Sequence, residues 1–367
     1  MPADFKVIDA DGHVVEPHGM WHDYIEEPYK SQAPRSVGAF SLVVNDKIAP
    51  KREGTNRVVP EMGNETKQIF LEKFKDAVAA GFTPEIQLKD MTREGIDQAV
   101  LYPTQGLFAV AQDDLDPKFA AAISRAYNNW LYDFCNHAPG KLFGAAMVPL
   151  QDVNEAVAEA RRAVLELGMK AVFVRPNPVC GRNLDDRYYD PLYAMLEDLG
   201  VPLGTHEGMG SLLPTAGADR YTHSYFSHIC SHTMETMLAC LSIVGGGVLE
   251  RFPHLTVAFL EAGCGWLPYW LERMDEHTTW VGGVNWLKKK PSEYFMRQCY
   301  IGCEAGEESL PQVVQLMGDE RLLFASDYPH PDAKFPNTVK LTLALEGLSD
   351  GSKRKIMRDN AKRVYNL

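Results

Sequence analysis

The sequence contains no run of about 18 uncharged apolar residues, no stripe of Lys and Arg, no CxxC pair and no low-complexity tract. Each absence removes a class. Without the long apolar run no transmembrane helix is expected, and the opening MPADFKVIDADGHVV lacks a signal-peptide core, so the expectation is a cytoplasmic protein with no membrane partner. The formal net charge of -12 argues against a nucleic-acid partner, because proteins that bind phosphate backbones gather their cations on one face. The one basic run, Lys288 to Lys290, reads as a solvated loop or helix start. The seven cysteines are odd in number and mostly sit inside apolar runs. They read as buried, reduced thiols, neither a disulfide framework nor a zinc knuckle.

What is present is a chain of 367 residues, 45% hydrophobic and 23% charged, enough to bury a sizeable core. Short apolar, β-rich segments recur at residues 6–13, 98–104, 143–150, 171–176, 202–206, 256–261, 300–304 and 322–327. Each ends in polar residues or Gly/Pro, and most are followed by a helical pattern, the signature of repeated βα units. Helices are expected over 116–140, 152–168, 190–200, 231–252 and 265–277, with Asp116-Pro117 and Asp190-Pro191 as starts and Gly140 and Gly200 as stops. Eight such units predict a single α/β domain spanning 1–367, a (β/α)8 TIM barrel. Residues 14–94 form a long insertion after the first strand, expected as a lid over the mouth or an oligomer contact. Its Trp21, Tyr24 and Phe70 either line that mouth or pack within the insertion.

In such a barrel a polar residue at the C-terminal end of a strand points into the mouth. The first strand ends Asp9-Ala10-Asp11-Gly12-His13, and period-two geometry puts Asp9, Asp11 and His13 on one face, so Asp11 and His13 can chelate one ion. The fifth ends in His206 and the eighth in Asp327. Those four residues make a mixed N/O site for a divalent ion, with zinc the first choice and manganese or iron(II) the alternatives. The sixth strand delivers Glu261, the candidate general acid/base, whose other role would be to hold a ligand His. His228 and His232, at i, i+4, would share one side of a helix. Either could donate a proton, bind substrate or, with Glu261, hold a second metal, or it could be an ordinary cap or packing residue. Arg175, ending the fourth strand, suits a substrate carboxylate or a loop salt bridge. Tyr102 and Glu304, ending strands two and seven, are lesser candidates for the pocket.

The opening DADGHVVEP, the Arg251-Phe252-Pro253 that leads into the sixth strand and the closing ASDYPHPD give the chain its resemblance to a known family. Along essentially its whole length it resembles the amidohydrolase-related branch typified by aminocarboxymuconate semialdehyde decarboxylase and the γ-resorcylate type decarboxylases. That resemblance implies a metal held by an HxH or ExH pair on the first strand, a His ending the fifth and an Asp ending the eighth. These positions fall on Asp11, His13, His206 and Asp327. Two departures stand out: Asp11 occupies a His or Glu position, and Glu261-Ala262-Gly263-Cys264-Gly265 replaces a catalytic His followed by glycines. The phrases LEAGCGWLPYWLERMDE and SHTMETM resemble a sub-branch of amidohydrolases without defined substrates, and some distant relatives hold two metals and activate oxygen.

The function expected is a metal-dependent lyase or hydrolase acting on a small carboxylated, aromatic or unsaturated, acid. Catalysis is expected from Glu261, Asp327, His232 and His228, with Arg175 and Tyr102 binding substrate. The alternatives are a dinuclear iron or manganese oxygenase on the same barrel and a catalytically silent barrel subunit. A homodimer is the expected assembly.

Overall fold

A strand covered on both faces by other structure needs side chains that tolerate burial on both, and the apolar runs of this chain meet that demand. In the computed structural model, which describes residues 3–37, 40–49, 64–208, 212–221 and 223–367, they become β1 (Ile8–His13), β2 (Gln98–Tyr102), β3 (Leu142–Met147), β4 (Ala171–Val174), β5 (Leu203–Thr205), β6 (Val257–Phe259), β7 (Cys299–Cys303) and β8 (Leu322–Phe324). Every one of β1 and β4 to β8 is buried at all its positions. The strands pair in parallel in chain order from β1 to β8, giving the expected (β/α)8 barrel.

The last strand returns to the first at the C-terminal end. Asp327 N donates to Asp11 O at 3.1 Å and His13 N donates to Tyr328 O at 2.7 Å. The Asp9 carboxylate completes that seam by accepting from Ser326 N at 2.9 Å and Ser326 Oγ at 2.5 Å. A side chain on Gly12 would place its Cβ 2.7 Å from Asp9 Oδ2, so glycine is what lets that carboxylate lie against the strand. Asp9 therefore leaves the group it was expected to join: it holds the barrel shut while Asp11 and His13 face inward.

The helices around the barrel follow their punctuation. Pro117–Asn136 is capped by Asp116, which accepts from Phe119 N, and Val153–Leu165 by Asp152, which accepts from Asn154 N and Glu155 N. Asp190–Leu199 ends at Gly200 with φ 63°, but Asp190 is no cap; it accepts from Arg251 Nε at 3.0 Å. The helix expected over 231–252 begins earlier, at Ser224, runs to Cys240 and passes through a wider turn, Leu241–Gly245, to Val248–Arg251.

The insertion divides. A small antiparallel sheet, Arg35–Ser36, Leu42–Val44 and Lys47–Ala49, lies near its start, and Asn64–Lys73, Lys75–Ala80 and Pro84–Glu94 are helices. Residues 38–39 and 50–63 of it lie outside those described. Phe70, Phe74, Ala77 and Ile86 form a separate apolar cluster with Tyr328, Ala333 and Phe335 from the loop after β8. The insertion helices thus stand on a mouth loop. Trp21, by contrast, is fully buried in the main core, and Tyr24 Oη donates to Asp133 Oδ2 at 2.7 Å, so both pack the insertion down instead of lining the mouth.

Candidate metal centre

Two imidazoles define the centre. His13 Nδ1 lies 2.9 Å from the Pro103 carbonyl and His206 Nδ1 2.8 Å from the Glu207 carbonyl. A carbonyl accepts only, so both Nδ1 atoms carry a proton, and in the neutral ring each Nε2 presents a lone pair. Those lone pairs face one another at 3.2 Å. Asp11 Oδ1 is 3.2 Å from His206 Nε2 and 3.7 Å from His13 Nε2. Glu261 Oε2 is 3.0 Å from His206 Nε2, and Asp327 Oδ1 is 3.4 Å from His13 Nε2.

These spacings test the fit of an ion. Ligand atoms at about 2.1 Å from one metal stand roughly 3.0–3.4 Å from each other. Of the three buried carboxylate oxygens that converge here, Asp11 Oδ1 and Glu261 Oε2 have no hydrogen-bond partner, and Asp327 Oδ1 faces His330 Nδ1 at 2.7 Å. With both rings neutral the converging lone pairs repel in a buried pocket; burial disfavours a charge on His206 but Asp11 and Glu261 raise its pKa, so a proton there relieves the conflict, as a divalent cation does. The residues present fit a divalent metal.

The backbone aims two of the carboxylates. Glu261 has φ 49° and Asp327 φ 55°, both left-handed and both just past the end of a strand. The loop carrying Glu261 is pinned by Glu307, whose carboxylate accepts from Cys264 N at 3.0 Å, Gly265 N at 2.8 Å and Glu304 N at 3.2 Å.

Electrostatics follow from burial. Burial pushes the Asp11 carboxyl up and holds His13 well below the usual histidine value, with His330 and His206 adding to the second effect. Burial also disfavours a charge on Glu261, but His206 and His232 outweigh it and hold that carboxyl well below its ordinary range. At Asp327 burial wins and the pKa rises well above normal. His330 is also raised well above normal, because Asp327 outweighs its burial. Asp327 and His330 thus hold a proton tightly between them. Glu304, at the end of β7, is pushed up to about 7 by burial and then by Glu261.

The structure brings Asp11, His13, His206, Asp327 and Glu261 into one cluster, with His232 at its rim: His232 Nε2 is 3.3 Å from Glu261 Oε1. His228 stacks on His232 at 4.4 Å, but its side chain is 45% exposed and its Nε2 lies 3.7 Å from Asp332, outside the cluster. Arg175 is at the end of β4, where expected, yet its guanidinium is already engaged. It donates to Asn177 Oδ1, Leu107 O, Glu207 Oε1 and Gly208 O at 2.7–3.0 Å, which makes it a strut between mouth loops. Tyr102 is fully buried, stacks on His206 at 5.4 Å and meets Tyr365 Oη at 3.1 Å, so it supports the imidazole from within the barrel.

One residue in the cluster escaped the sequence reading. His330 is buried, with Nδ1 2.7 Å from Asp327 Oδ1 and Nε2 3.0 Å from Thr104 Oγ1, and its ring stacks on His13 at 3.9 Å. Its place three residues after Asp327, within ASDYPHPD, was the available signal.

Comparisons with known proteins give the family and the fold. The profile of the family described as Amidohydrolase matches residues 8–367. The 2-amino-3-carboxymuconate-6-semialdehyde decarboxylase of Dictyostelium discoideum is 26% identical over 301 residues, 80% of this chain and 79% of its own. An amidohydrolase from Mycobacterium avium subsp. paratuberculosis superposes with a TM-score of 0.79 at 23% identity over 99% of both chains. The 5-carboxyvanillate decarboxylase from Novosphingobium aromaticivorans, complexed with manganese and 4-hydroxy-3-methoxy-5-nitrobenzoic acid, gives a TM-score of 0.71 at 22% identity, over 99% of this chain and 97% of that one.

Proposed function

Because the chain belongs to the amidohydrolase family, we propose that it is a metal-dependent carboxy-lyase that releases CO2 from a small aromatic or unsaturated carboxylic acid. The observation that carries this reading is the Asp327–His330 pair, a buried carboxylate and imidazole 2.7 Å apart at the edge of the metal cluster. Decarboxylation breaks one C–C bond, leaves its electron pair on carbon and needs one proton delivered there in a water-poor site. A paired, proton-retaining acid supplies it.

Asp11, His13 and His206 would hold the metal, with the carboxylates of Glu261 and Asp327 beside them. Bound there, a divalent cation supplies Lewis acidity and a template for substrate oxygens. The Asp327–His330 pair gives its proton to the carbon that loses CO2, with His330 steadied by Thr104 Oγ1 at 3.0 Å. Glu261 stays ionised beside His232 and orients it. The insertion excludes water: Phe40 reaches within 6.2 Å of the His330 ring, edge to face.

Two imidazoles and three carboxylates form an oxygen-rich donor set, which favours manganese over four-coordinate zinc. The seven unpaired thiols support a cytoplasmic location. A specific observation also favours a second ion. Glu261 turns one oxygen to His206 at 3.0 Å and the other to His232 at 3.3 Å and His330 at 3.7 Å, so it would be able to hold an ion on either side. That would make the centre dinuclear, as the oxygenase alternative requires.

The test is manganese-loaded enzyme incubated in D2O with hydroxylated benzoic acids and carboxylated muconates, reading CO2 and deuterium at the vacated carbon, alongside a metal count. CO2 with one deuterium is expected, and Asp327→Asn should lower turnover at least 100-fold. Ester or amide hydrolysis without CO2 would replace this reading with the hydrolase. Two transition-metal ions and consumption of O2 would replace it with the oxygenase.

A further inference from the structure

In the opening DADGHVVEP, Glu16 follows His13 by three residues. It is 2% exposed, and no ion pair joins it to any described residue. Burial pushes its pKa up to about 7, against the restraint of the Gly106 and Gln105 N–H groups. A lone buried carboxylate is costly to keep, and the bonds it makes show what it holds. Glu16 Oε2 accepts from Gln105 N and Oε1 from Gly106 N, each at 2.8 Å. Just before them Tyr102 O accepts from Val14 N at 3.0 Å, so Pro103 and Thr104 lie between two fixed points. Those two residues touch the centre. Pro103 O accepts from His13 Nδ1 at 2.9 Å, and Thr104 Oγ1 meets His330 Nε2 at 3.0 Å. The loop has no slack: a Cβ on Gly106 would come 2.6 Å from Pro103 Cβ and 3.1 Å from Glu16 Oε1. The insertion grips the same loop, where Ser36 Oγ donates to Gln105 Oε1 at 2.6 Å.

We propose that Glu16 is a positioning residue that sets two groups of the centre at once, the ligand His13 through Pro103 O and the Asp327–His330 pair through Thr104 Oγ1. Glu16 bonds to neither imidazole and acts through residues 103–106 alone. Exchanging its carboxylate for an amide turns one acceptor into a donor that faces a backbone N–H. The loop must then shift to separate the two donors, carrying Pro103 O away from His13 and Thr104 Oγ1 away from His330. A group that filled space only would tolerate the amide, which matches a carboxylate in size. Loosening the partner that fixes the tautomer of a ligand histidine costs roughly 10–100-fold in metal affinity. The effect on His330 rests on the carboxy-lyase reading; the effect on His13 does not.

The test is Glu16→Gln in the full chain, with manganese affinity measured by titration of metal-stripped protein and turnover measured at saturating manganese. Manganese binding should weaken roughly 10–100-fold with an unchanged circular dichroism spectrum. Glu94→Gln, at a buried carboxylate before β2 that accepts from Thr338 N at 2.8 Å, should bind manganese as the wild type does. Thr104→Val should lower turnover without loss of manganese affinity, and adding Glu16→Gln to it should lower turnover little further, because both act on His330 through one contact. If Glu16→Gln fails to fold, Glu16→Asp, which keeps the charge but withdraws both oxygens by one methylene, serves instead with the same expected losses. Wild-type manganese affinity in the folded Glu16 variant, or losses of turnover that add in full with Thr104→Val, overturns the proposal. A wild type that releases CO2 from no acid overturns the carboxy-lyase reading instead, and manganese affinity alone then decides the role of Glu16.

Discussion

His330 occupies a position no strand rule predicts. Alternation along β8 stops at Phe324, and Asp327 and His330 approach each other because the backbone turns at Asp327 and His330 N donates to Asp327 O at 2.8 Å. The convergence of Asp11, His13, His206 and Asp327 is legible in the sequence because a carboxylate or imidazole at the end of an apolar run is costly to bury without a purpose. His330 is not, because the relation there is i, i+3 within a turn. The two kinds of residue should also differ in experiment. His330→Asn is expected to lower turnover by about 10²–10⁴-fold, the usual loss for a general acid, with metal content unchanged. Asp11→Ala is expected to lose metal, because it removes an unpartnered buried oxygen that faces both imidazoles. Full metal content in that variant would remove Asp11 from the ligand set.

At the scale of an element, the sixth strand is the instructive case. Its sequence reads as a strand through Glu261, but the ladder ends at Phe259 and Glu261 enters the mouth on a left-handed turn. What shapes that turn lies in another element: Glu307 accepts three backbone N–H groups, from Cys264, Gly265 and Glu304, and Ser309 Oγ donates to it at 2.7 Å. No local pattern around Glu261 could reveal a brace from the loop after β7. Arg175 was ambiguous for the same reason, since its contact with Glu207 at 2.7 Å depends on how two mouth loops meet. The helices were easier to read because their caps and stops are local, and the docking of Asp190 to Arg251 was again the non-local exception. Glu307→Ala should cost about 1–3 kcal/mol, the range for leaving buried donors unpaired, discounted because Glu307 is only partly buried. Thermal denaturation measures that loss. Turnover should fall with it while metal stays bound, since Asp11, His13 and His206 do not rest on this brace.

Across the whole molecule, strand ends far apart in sequence place three carboxylate oxygens, two of them unpartnered, and two opposed imidazole nitrogens in one buried pocket, so folding without metal concentrates repulsion there. An ion that binds the folded chain and not the unfolded one stabilises by RT ln(1 + [M]/Kd), about 4 kcal/mol at a thousandfold excess over Kd. Manganese should therefore raise the melting temperature of chelator-treated protein by on the order of 5 °C or more, and a chelator should reverse the gain. Asp11→Ala should respond in a diagnostic way. With one convergent carboxylate gone, its metal-free form should melt no lower than the metal-free wild type, and added manganese should move it little. Equal manganese shifts in wild type and variant would show that the ion sits elsewhere, whatever the activity of either protein. A wild type that melts at one temperature with and without manganese would show that the pocket tolerates its own charge, through protons held on Asp11 and on the Asp327–His330 pair.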